Sequence, residues 1–322
     1  MKALVNRQYN RFDNIGIENR VLPPLKSDEI KVKVYAASLN KSDLFLAKGK
    51  PFMIKLMYGF KKPKHIYPGS DFSGEVIAIG SDVTKFKLGD KVFGDLSSSG
   101  FGAFAEEVNV SSSKVWLVPK GYSYIEASSL PMPVGTALEA LDKVRDIKGK
   151  KVLVYGGSGG VGRFLVQLAL YFGADIDVVA SQKHSDDLTK LGVSNVYDYK
   201  TSKFALPKKT YDVIFAVNGY QTMKSYANSL VKQGCCIVIG GNGKQLLASM
   251  IKGWFYKLFK KKAFMNVLAK TGQDTLIKLS NICTETKLDV QIGKIYSLNN
   301  AKDAYFDFEN NQHKGKYVIK IN

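Results

Sequence analysis

A glycine-rich turn holds the residues with the most specific chemistry in this sequence. It matches the pattern G-x-G-x-x-G and consists of Gly157, Ser158, Gly159, Gly160, Val161 and Gly162. Glycines lack the Cβ atoms that would keep a pyrophosphate away from the main chain. A helix starting there would offer unpaired N–H groups and its positive dipole end to the phosphates. The turn therefore predicts a dinucleotide-binding site; the alternative is a turn that only packs a helix against a sheet.

A strand and a helix must position this turn, and the sequence predicts both. Lys151–Tyr155 is expected to be a short buried strand, because its central residues are all apolar. Beyond the turn, apolar residues recur at helical steps, at Val161, Leu165, Leu168 and Phe172. Gly173 ends this helix, and Ile176–Ala180 is predicted to be a second buried strand. This strand–turn–helix–strand context makes the glycine motif a strong prediction.

The residues after the second strand predict which dinucleotide binds. An acid about 20 residues beyond the glycine motif would bind a ribose 2′-OH and favour NAD. No acid follows Ala180, and Asp177 lies inside the strand, too early for this role. Ser181 and Lys183 could instead hydrogen-bond and neutralise a 2′-phosphate. NADPH is therefore the favoured cofactor over NADH, and a solvated loop residue is the alternative role for Lys183.

The composition is that of a folded protein with a strongly basic surface. The 322 residues carry a formal net charge of +19 and 45% of them are apolar, so two domains with substantial cores are expected. Such a charge suits a nucleic acid, an anionic membrane or a polyanionic cofactor. The lysines are spread along the chain without a nucleic-acid motif, which favours a solvated surface and makes nucleic acid an unfavoured partner. Few cysteines, no long apolar run and no signal-peptide pattern predict a cytoplasmic location.

The chain changes its pattern near residue 122. Residues 1–122 contain short strand-like runs, with a half-buried alternation over Glu29–Tyr35, and predict a barrel-like domain. From about Ile125 strands and helices alternate, which predicts a parallel sheet covered on both faces. Strands over Gln291–Tyr296 and Lys316–Ile321 are expected to rejoin the first domain.

The stretch Leu246–Phe264 combines apolar and aromatic residues with lysines. It follows a predicted helix over Gln221–Val231 and a predicted strand over Cys235–Gly240. A basic amphipathic helix can lie on an anionic membrane. The same stretch is equally well interpreted as a helix with a lysine-rich exposed face, or as a lid over a substrate cleft. Peripheral membrane contact is therefore one of three interpretations.

Motifs in both halves carry a family resemblance. They are PGSDFSGEVIAIG at Pro68–Gly80, FKLGDKVFG at Phe86–Gly94, and the glycine turn with its flanking strand and helix. The chain resembles the medium-chain dehydrogenase/reductase superfamily over essentially its full length, and within it the zinc-independent quinone oxidoreductase branch. The resemblance implies an α/β fold with two domains. A GroES-like, mostly β domain would span 1–122 and 290–322. A Rossmann domain with a doubly wound parallel sheet would span 123–289, with a nicotinamide cofactor in the cleft between them.

The residues at the superfamily's zinc positions predict that no metal binds. Asn40 and Ser70-Asp71 stand where zinc alcohol dehydrogenases place a cysteine and a His-Glu pair. Asparagine and serine are poor ligands for zinc, which prefers thiolate and imidazole. Gly94–Glu107, where a structural zinc lobe would lie, contains no cysteine. Without zinc, reduction of a conjugated C=C or a quinone is easier than oxidation of a simple alcohol.

The resemblance also implies roles for residues outside the glycine turn. Asn40 would donate a hydrogen bond near the nicotinamide or the substrate carbonyl, and Asp43 belongs to the same motif, with a structural cap as its alternative. Further cofactor contacts are expected at Thr136, Tyr199, Gly240 and Gly241. Tyr199 is equally well explained as a packing residue. A flexible apolar substrate pocket is expected around Phe45, Phe52 and Met57, with plain core packing as the alternative.

Together these residues predict an NADPH-dependent, zinc-free enzyme that transfers a hydride to quinones or α,β-unsaturated carbonyl compounds. No general acid is evident, so water or a cofactor hydroxyl would supply the proton. One alternative is a zinc-independent alcohol or aldehyde reductase, and another is a non-enzymatic protein that binds nucleotides or nucleic acid. The resemblance implies a homodimer, in which a strand near Ala263–Leu268 would pair across a two-fold axis.

Overall fold

The computed structural model describes residues 1–9, 12–201, 205–217, 221–240, 248, 249, 253, 254, 256, 258, 260–267 and 271–322. The strands are β1 (Lys2–Asn6), β2 (Ile15–Asn19), β3 (Glu29–Ser38), β4 (Asp71–Ile79), β5 (Lys91–Asp95), β6 (Glu107–Ser111), β7 (Val115–Leu117), β8 (Lys151–Tyr155), β9 (Asp175–Ala180), β10 (Asn195–Asp198), β11 (Tyr211–Val217), β12 (Leu230–Ile239), β13 (Ala263–Val267), β14 (Ile292–Ser297) and β15 (Lys316–Lys320). The helices are α1 (Lys41–Lys48), α2 (Phe52–Tyr58), α3 (Tyr124–Ala127), α4 (Pro131–Asp142), α5 (Gly160–Tyr171), α6 (Ser185–Thr189), α7 (Met223–Ser229), α8 (Gln273–Glu285) and α9 (Ala301–Glu309).

The chain divides into two compact units. The first consists of Met1–Gly135 and Lys270–Asn322, and the second of Thr136–Ala269. The first unit is therefore discontinuous in sequence. The second is a single uninterrupted stretch of chain.

These boundaries differ from the predicted positions at 122 and 290. Residues 123–135 and 270–289 belong to the first unit rather than to the nucleotide-binding domain. A hydrogen bond illustrates the physical reason, because Gln273 Nε2 donates to the carbonyl of Ser112 at 2.9 Å. Helix α8 is thereby held to the mostly β part of the chain.

The first unit is built on a largely antiparallel sheet. Its strand order is β14-β15-β3-β4-β5-β7, and β6 also pairs with β3. Along β3, Ile30, Val32 and Val34 are buried, while the intervening lysines point to the other face, as the alternation predicts. The mostly β character expected for this part of the chain is confirmed. Strand β15 lies between β14 and β3, so residues from the C-terminal part complete the sheet.

The second unit is built on a six-stranded sheet with the order β10-β9-β8-β11-β12-β13. Every neighbouring pair is parallel. This is the strand order of a Rossmann fold, in which the order reverses between β8 and β11. Val152, Leu153 and Val154 of β8 are fully buried, as expected for a strand covered on both faces. The predicted doubly wound parallel sheet is confirmed.

Strand β12 begins earlier than the sequence predicts. The expected helix over Gln221–Val231 ends at Ser229, and the strand starts at Leu230 rather than at Cys235. Leu230 is fully buried and pairs with Tyr211 in the neighbouring strand β11. This tertiary pairing overrides the helical pattern of the local sequence.

Most of Leu246–Phe264 lies outside the described residues. Those of its residues that are described before position 261 are helical, and β13 begins at Ala263. Trp254 and Leu258 are exposed. None of the described helices is long and apolar enough to cross a membrane. The role of this stretch stays a prediction.

Candidate active site

Three neighbouring strands bring buried polar side chains together in the first unit. The sheet register pairs Ser38, at the end of β3, with Asp71 of β4 and with Val318 of β15. Asn40 follows β3 and precedes α1, while Lys316 is the first residue of β15. The resulting buried polar cluster has members that are at most 7% exposed: Asn40, Asp43, Ser70, Asp71 and Lys316.

Asn40 lies at the centre of the cluster. Its Nδ2 donates to Asp71 Oδ2 at 2.9 Å, and its Oδ1 accepts from Lys316 Nζ at 2.7 Å. An ammonium group only donates and an ionised carboxylate only accepts, so these two partners determine which end of the amide faces which way. Lys316 Nζ also donates to the carbonyl of Leu39 at 3.0 Å. The amide has a second N–H besides the one bonded to Asp71, and this is the donor that Asn40 can offer a ligand.

Asp43 caps helix α1. Its Oδ2 accepts from the backbone N–H of Asn40 at 2.7 Å, and its own N–H donates to the carbonyl of Asn40 at 3.0 Å. Ser70 Oγ lies 3.5 Å from Asp43 Oδ1, which is a long contact. These contacts correspond to the structural cap that is the alternative role for this residue. A catalytic role for Asp43 stays a prediction.

Asp71 joins Asn40 to the start of helix α4. Its carboxylate oxygens accept from the N–H of Met132 at 3.1 and 3.2 Å. The first N–H groups of a helix have no partner within the helix, and a carboxylate is stabilised there by the helix dipole. Thr136, a predicted cofactor contact, is buried one turn further along α4.

Burial dominates the electrostatics of the cluster. It raises the pKa of Asp71 well above the usual value, and the charge of Asp95 raises it further. Burial also raises the pKa of Asp43 from 3.8 to about 7. It lowers the pKa of Lys316 from 10.5 to about 8, although the charges of Asp71 and Asp43 act in the opposite direction. Each charge in the cluster therefore depends on the others for its stability.

The raised pKa of Asp43 predicts a pH-dependent stability. The folded protein holds the Asp43 proton up to about pH 7, whereas the unfolded chain releases it near 3.8. The stabilisation from this proton is thus fully present below pH 3.8 and is lost as the pH rises through about 7. Denaturant unfolding of the wild type and Asp43→Asn across this range should show the wild type losing stability relative to the variant as the pH rises. A difference that does not change with pH would contradict the assignment.

The positions that the family resemblance matches to zinc ligands meet in this cluster. Asn40 and Asp71 are hydrogen-bonded, and the cation beside them is the ammonium group of Lys316. An amide, a hydroxyl and carboxylates next to an ammonium group are a poor ligand set for zinc. Within the described ranges, no group of three or more His, Cys, Asp and Glu side chains is arranged to hold a metal ion.

The glycine turn in the second unit is tight on its inner side. Gly156 follows β8 with φ +85°, and a Cβ on it would lie 2.3 Å from the carbonyl oxygen of Val217. A Cβ on Gly162 would lie 2.1 Å from the carbonyl oxygen of Gly156. Real Cβ atoms do not approach backbone this closely, so glycine is required at both positions.

The outer side of the same turn is open. Gly159 and Gly160 are exposed, and a Cβ on Gly159 would meet only the Gly156 carbonyl oxygen, at 3.6 Å. Helix α5 begins at Gly160, and its N-cap residue Gly159 contributes no side-chain cap. Bare main chain at a helix N-terminus is a cradle that fits a phosphate group. Ser158 and Val161 of the predicted turn are half-buried beside it.

Other predicted cofactor residues lie at the same edge of the parallel sheet. The carboxyl ends of parallel strands share one edge, and ligands bind there in such folds. Buried Ser181 and exposed Lys183 follow β9, and exposed Tyr199 follows β10. Gly240 follows β12 with open space around its Cβ position. Gly241 lies outside the described residues.

Asp177 has a structural role in the middle of this sheet. Its carboxylate accepts from Lys151 Nζ at 2.9 Å, from Asn195 Nδ2 at 2.8 Å and from Tyr211 OH at 2.9 Å. The side chain is buried. These bonds occupy the carboxylate inside the sheet, as its position within β9 predicts.

The predicted substrate-pocket residues are not enclosed in the first unit. Phe52 and Met57 are exposed, and Phe45 is half-buried. A small apolar cavity nearby has other lining residues, which include Tyr9, Leu46, Tyr58, His65 and Phe101. The role of Phe45, Phe52 and Met57 in substrate binding stays a prediction.

Comparison with known proteins decides the family. An alcohol dehydrogenase GroES-like domain matches residues 26–120, and a zinc-binding dehydrogenase family matches residues 191–319. A chloroplast envelope quinone oxidoreductase homolog of Arabidopsis thaliana is 31% identical over 332 residues, covering 97% of each chain. The chain belongs to the medium-chain dehydrogenase/reductase superfamily. Within that superfamily it falls in the quinone oxidoreductase-like branch, as its motifs predict.

One solved structure agrees with this chain in fold, and a further relative agrees in sequence. The structure of the quinone oxidoreductase from Coxiella burnetii has a TM-score of 0.85 and 27% identity, and the match covers 100% of this chain and 99% of that one. A 2-methylene-furan-3-one reductase of Solanum lycopersicum is 35% identical over 249 residues. That match spans only 62% of the reductase's own length.

Sequence reasoning missed Lys316. Its only local signal is its position at the start of a predicted strand, which many surface lysines share. The hydrogen bond to Asn40 spans 276 residues of sequence. A pattern read within a short window cannot detect such a partner.

Proposed function

We propose that the protein is an NADPH-dependent, zinc-free oxidoreductase that transfers a hydride to quinones or α,β-unsaturated carbonyl compounds. The observation that carries the proposal is the bare, exposed Gly159–Gly160 backbone at the point where the strand order reverses. The names of two relatives support the substrate class. They are the Arabidopsis thaliana quinone oxidoreductase homolog and an Arabidopsis thaliana NADPH-dependent alkenal/one oxidoreductase.

The chain's residues would act by binding and orientation. The first-turn N–H groups of α5 would hold the pyrophosphate, and Ser181 and Lys183 would hold a 2′-phosphate. When bound, the nicotinamide would supply the hydride. The second N–H of Asn40 would donate to the substrate carbonyl oxygen and stabilise the negative charge that develops there. Water or a cofactor hydroxyl would supply the proton.

The charge of Lys316 supports the zinc-free part of the proposal. Its ammonium group already balances the carboxylates of the buried polar cluster and holds the amide of Asn40 by a 2.7 Å hydrogen bond. A dication placed among these groups would have to displace that ammonium group.

A substrate panel tests the function directly. NADPH oxidation by the purified protein should be rapid with quinones and enones and slow with simple aldehydes. Rapid aldehyde reduction would favour the zinc-independent alcohol or aldehyde reductase instead. Absence of oxidation on every acceptor, together with salt-sensitive nucleic-acid binding, would favour the non-enzymatic alternative. A tightly bound zinc would overturn the metal-free part.

Lys183 is expected to discriminate between the two nicotinamides. Replacing Lys183 by glutamate should lower the preference for NADPH over NADH by about tenfold, because the carboxylate repels the 2′-phosphate. Lys190→Glu, at another exposed lysine of the same unit, is the matched control for net charge. If both variants keep the wild-type NADPH/NADH ratio of kcat/KM, Lys183 is a solvated loop residue.

Assembly and location belong to the same proposal. Strand β13 pairs with β12 on one side, and no strand from the described part of the chain pairs with its other side. This open edge supports a homodimer in which β13 pairs across a two-fold axis.

The free cysteines support a reducing compartment, for which we propose the cytoplasm. They are Cys235, Cys236 and Cys283.

A further inference from the structure

Helix α2 presents its apolar face outward. None of its residues is buried, and Lys55, on its inner side, places its ammonium group 5.4 Å from the centre of the Tyr9 ring. A helix on the surface of a globular protein normally turns its apolar stripe inward. Four apolar side chains share the outer face and are 57–64% exposed: Phe52, Met53, Leu56 and Met57. This face lacks the burial that its composition favours.

The exposed face is held on a fixed support. The hydroxyl of Tyr9 donates to the carbonyl of Gly59 at 2.7 Å and lies 3.2 Å from the carbonyl oxygen of Tyr58. The N–H of Lys64 donates to the carbonyl of Tyr58 at 2.7 Å. Phe60 extends the apolar face, because its ring lies edge-on to that of Phe52 with 6.0 Å between centroids. The apolar residues are therefore presented by an anchored helix and loop.

The surroundings of this face are cationic. Residues 44–70 contain six lysines and no acidic residue. Lys48 forms an ion pair with Glu309, whereas the exposed members form no ion pair with any residue in the described ranges. Those exposed members are Lys50, Lys61, Lys62 and Lys64.

We infer that this surface docks on an anionic lipid bilayer. We name the protein side of this contact the 50–64 surface. Its residues are Lys50, Phe52, Met53, Leu56, Met57, Phe60, Lys61, Lys62 and Lys64. The aromatic and aliphatic side chains enter the interface between headgroups and acyl chains, and the lysines contact the lipid phosphates. A second copy of the chain fits this surface poorly, because a two-fold contact would juxtapose the lysines with no acid to compensate them. The inference does not depend on the proposed catalytic function.

Vesicle flotation tests this inference. The full-length protein should float with vesicles of phosphatidylcholine and phosphatidylglycerol, and much less with phosphatidylcholine alone. Phe52→Ser/Met57→Ser and Lys61→Gln/Lys62→Gln should each lower the bound fraction by about tenfold. The replaced side chains are exposed, so the variants should keep the wild-type Tm.

Matched controls test whether vesicle binding depends on the 50–64 surface in particular. Val21→Ser/Leu88→Ser removes two exposed apolar side chains elsewhere, and Lys143→Gln/Lys190→Gln removes two exposed lysines. Both should bind vesicles like the wild type. Equal losses in variants and controls, or no flotation of the wild type, would overturn the inference. So would a wild-type dimer in analytical ultracentrifugation that Phe52→Ser/Met57→Ser converts to monomer. Reduction of a water-soluble quinone, measured on the wild type and on Lys61→Gln/Lys62→Gln, reports the proposed function separately.

Discussion

Gly159→Val is expected to weaken NADPH binding on the order of 100-fold while leaving the fold intact. The structure separates these two effects, because a Cβ on Gly159 meets nothing closer than the Gly156 carbonyl oxygen at 3.6 Å. Gly159 also has the extended conformation, φ −78° and ψ 172°, that valine adopts without strain. The branched side chain would therefore occupy the space that the diphosphate needs, at a stability cost of about 1 kcal/mol or less. Isothermal titration with NADPH and thermal unfolding measure the two quantities.

Gly162→Ala is the matched variant, and its main expected effect is on stability rather than on NADPH binding. Its Cβ would lie 2.1 Å from the Gly156 carbonyl oxygen, so the helix must shift away from the turn. We expect it to lower the free energy of unfolding by about 1–3 kcal/mol. An unchanged NADPH affinity in Gly159→Val would contradict the placement of the diphosphate, whatever the outcome for Gly162→Ala.

Lys316→Met is expected to destabilise the protein by about 3–5 kcal/mol. The methionine fills a similar volume but removes the cation that hydrogen-bonds to Asn40 and Leu39. Asp71 would then keep a buried carboxylate without a compensating charge. The loss should be smaller in mild acid, because the raised pKa values of Asp43 and Asp71 let both take up protons there. Urea unfolding in mild acid and at neutral pH, where Lys316 still carries its proton, measures this difference.

Two comparisons identify the cause of that loss. Lys320→Met, in the same strand but exposed, should cost about 0.5 kcal/mol or less. The double variant Asp71→Asn/Lys316→Met should cost less than the sum of the two single variants, because it removes the anion together with the cation. Additive costs would mean that the two side chains do not interact through Asn40.

Elements with strong local signals were predictable. The strand Lys151–Tyr155 has the bounds that its apolar run predicts, and α5 follows the glycine turn at Gly160. Both signals lie within a few residues of the element itself. The start of β12 was wrong because its first residue is set by pairing with β11, which the local pattern does not contain.

The candidate site also contains residues that the sequence predicted and residues that it could not predict. The glycine turn was found from its spacing, and the structure brings Ser181, Lys183, Tyr199 and Gly240 to the same sheet edge because the strands are parallel. Lys316 could not be found, because its partners come from distant parts of the chain. The exposed apolar face of α2 could not be predicted either. The residue pattern of an apolar helix is the same whether that helix faces the core or the solvent.

The position of β15 between β14 and β3 has a consequence for biosynthesis. During translation the ribosome releases Thr136–Ala269 as one uninterrupted stretch, so that unit can fold early. Until residues 316–320 emerge, β3 keeps an unpaired edge at Ala36–Ser38, and Asn40 lacks its ammonium partner. The amino-terminal unit therefore stays incomplete during synthesis for longer than the unit of residues 136–269 does.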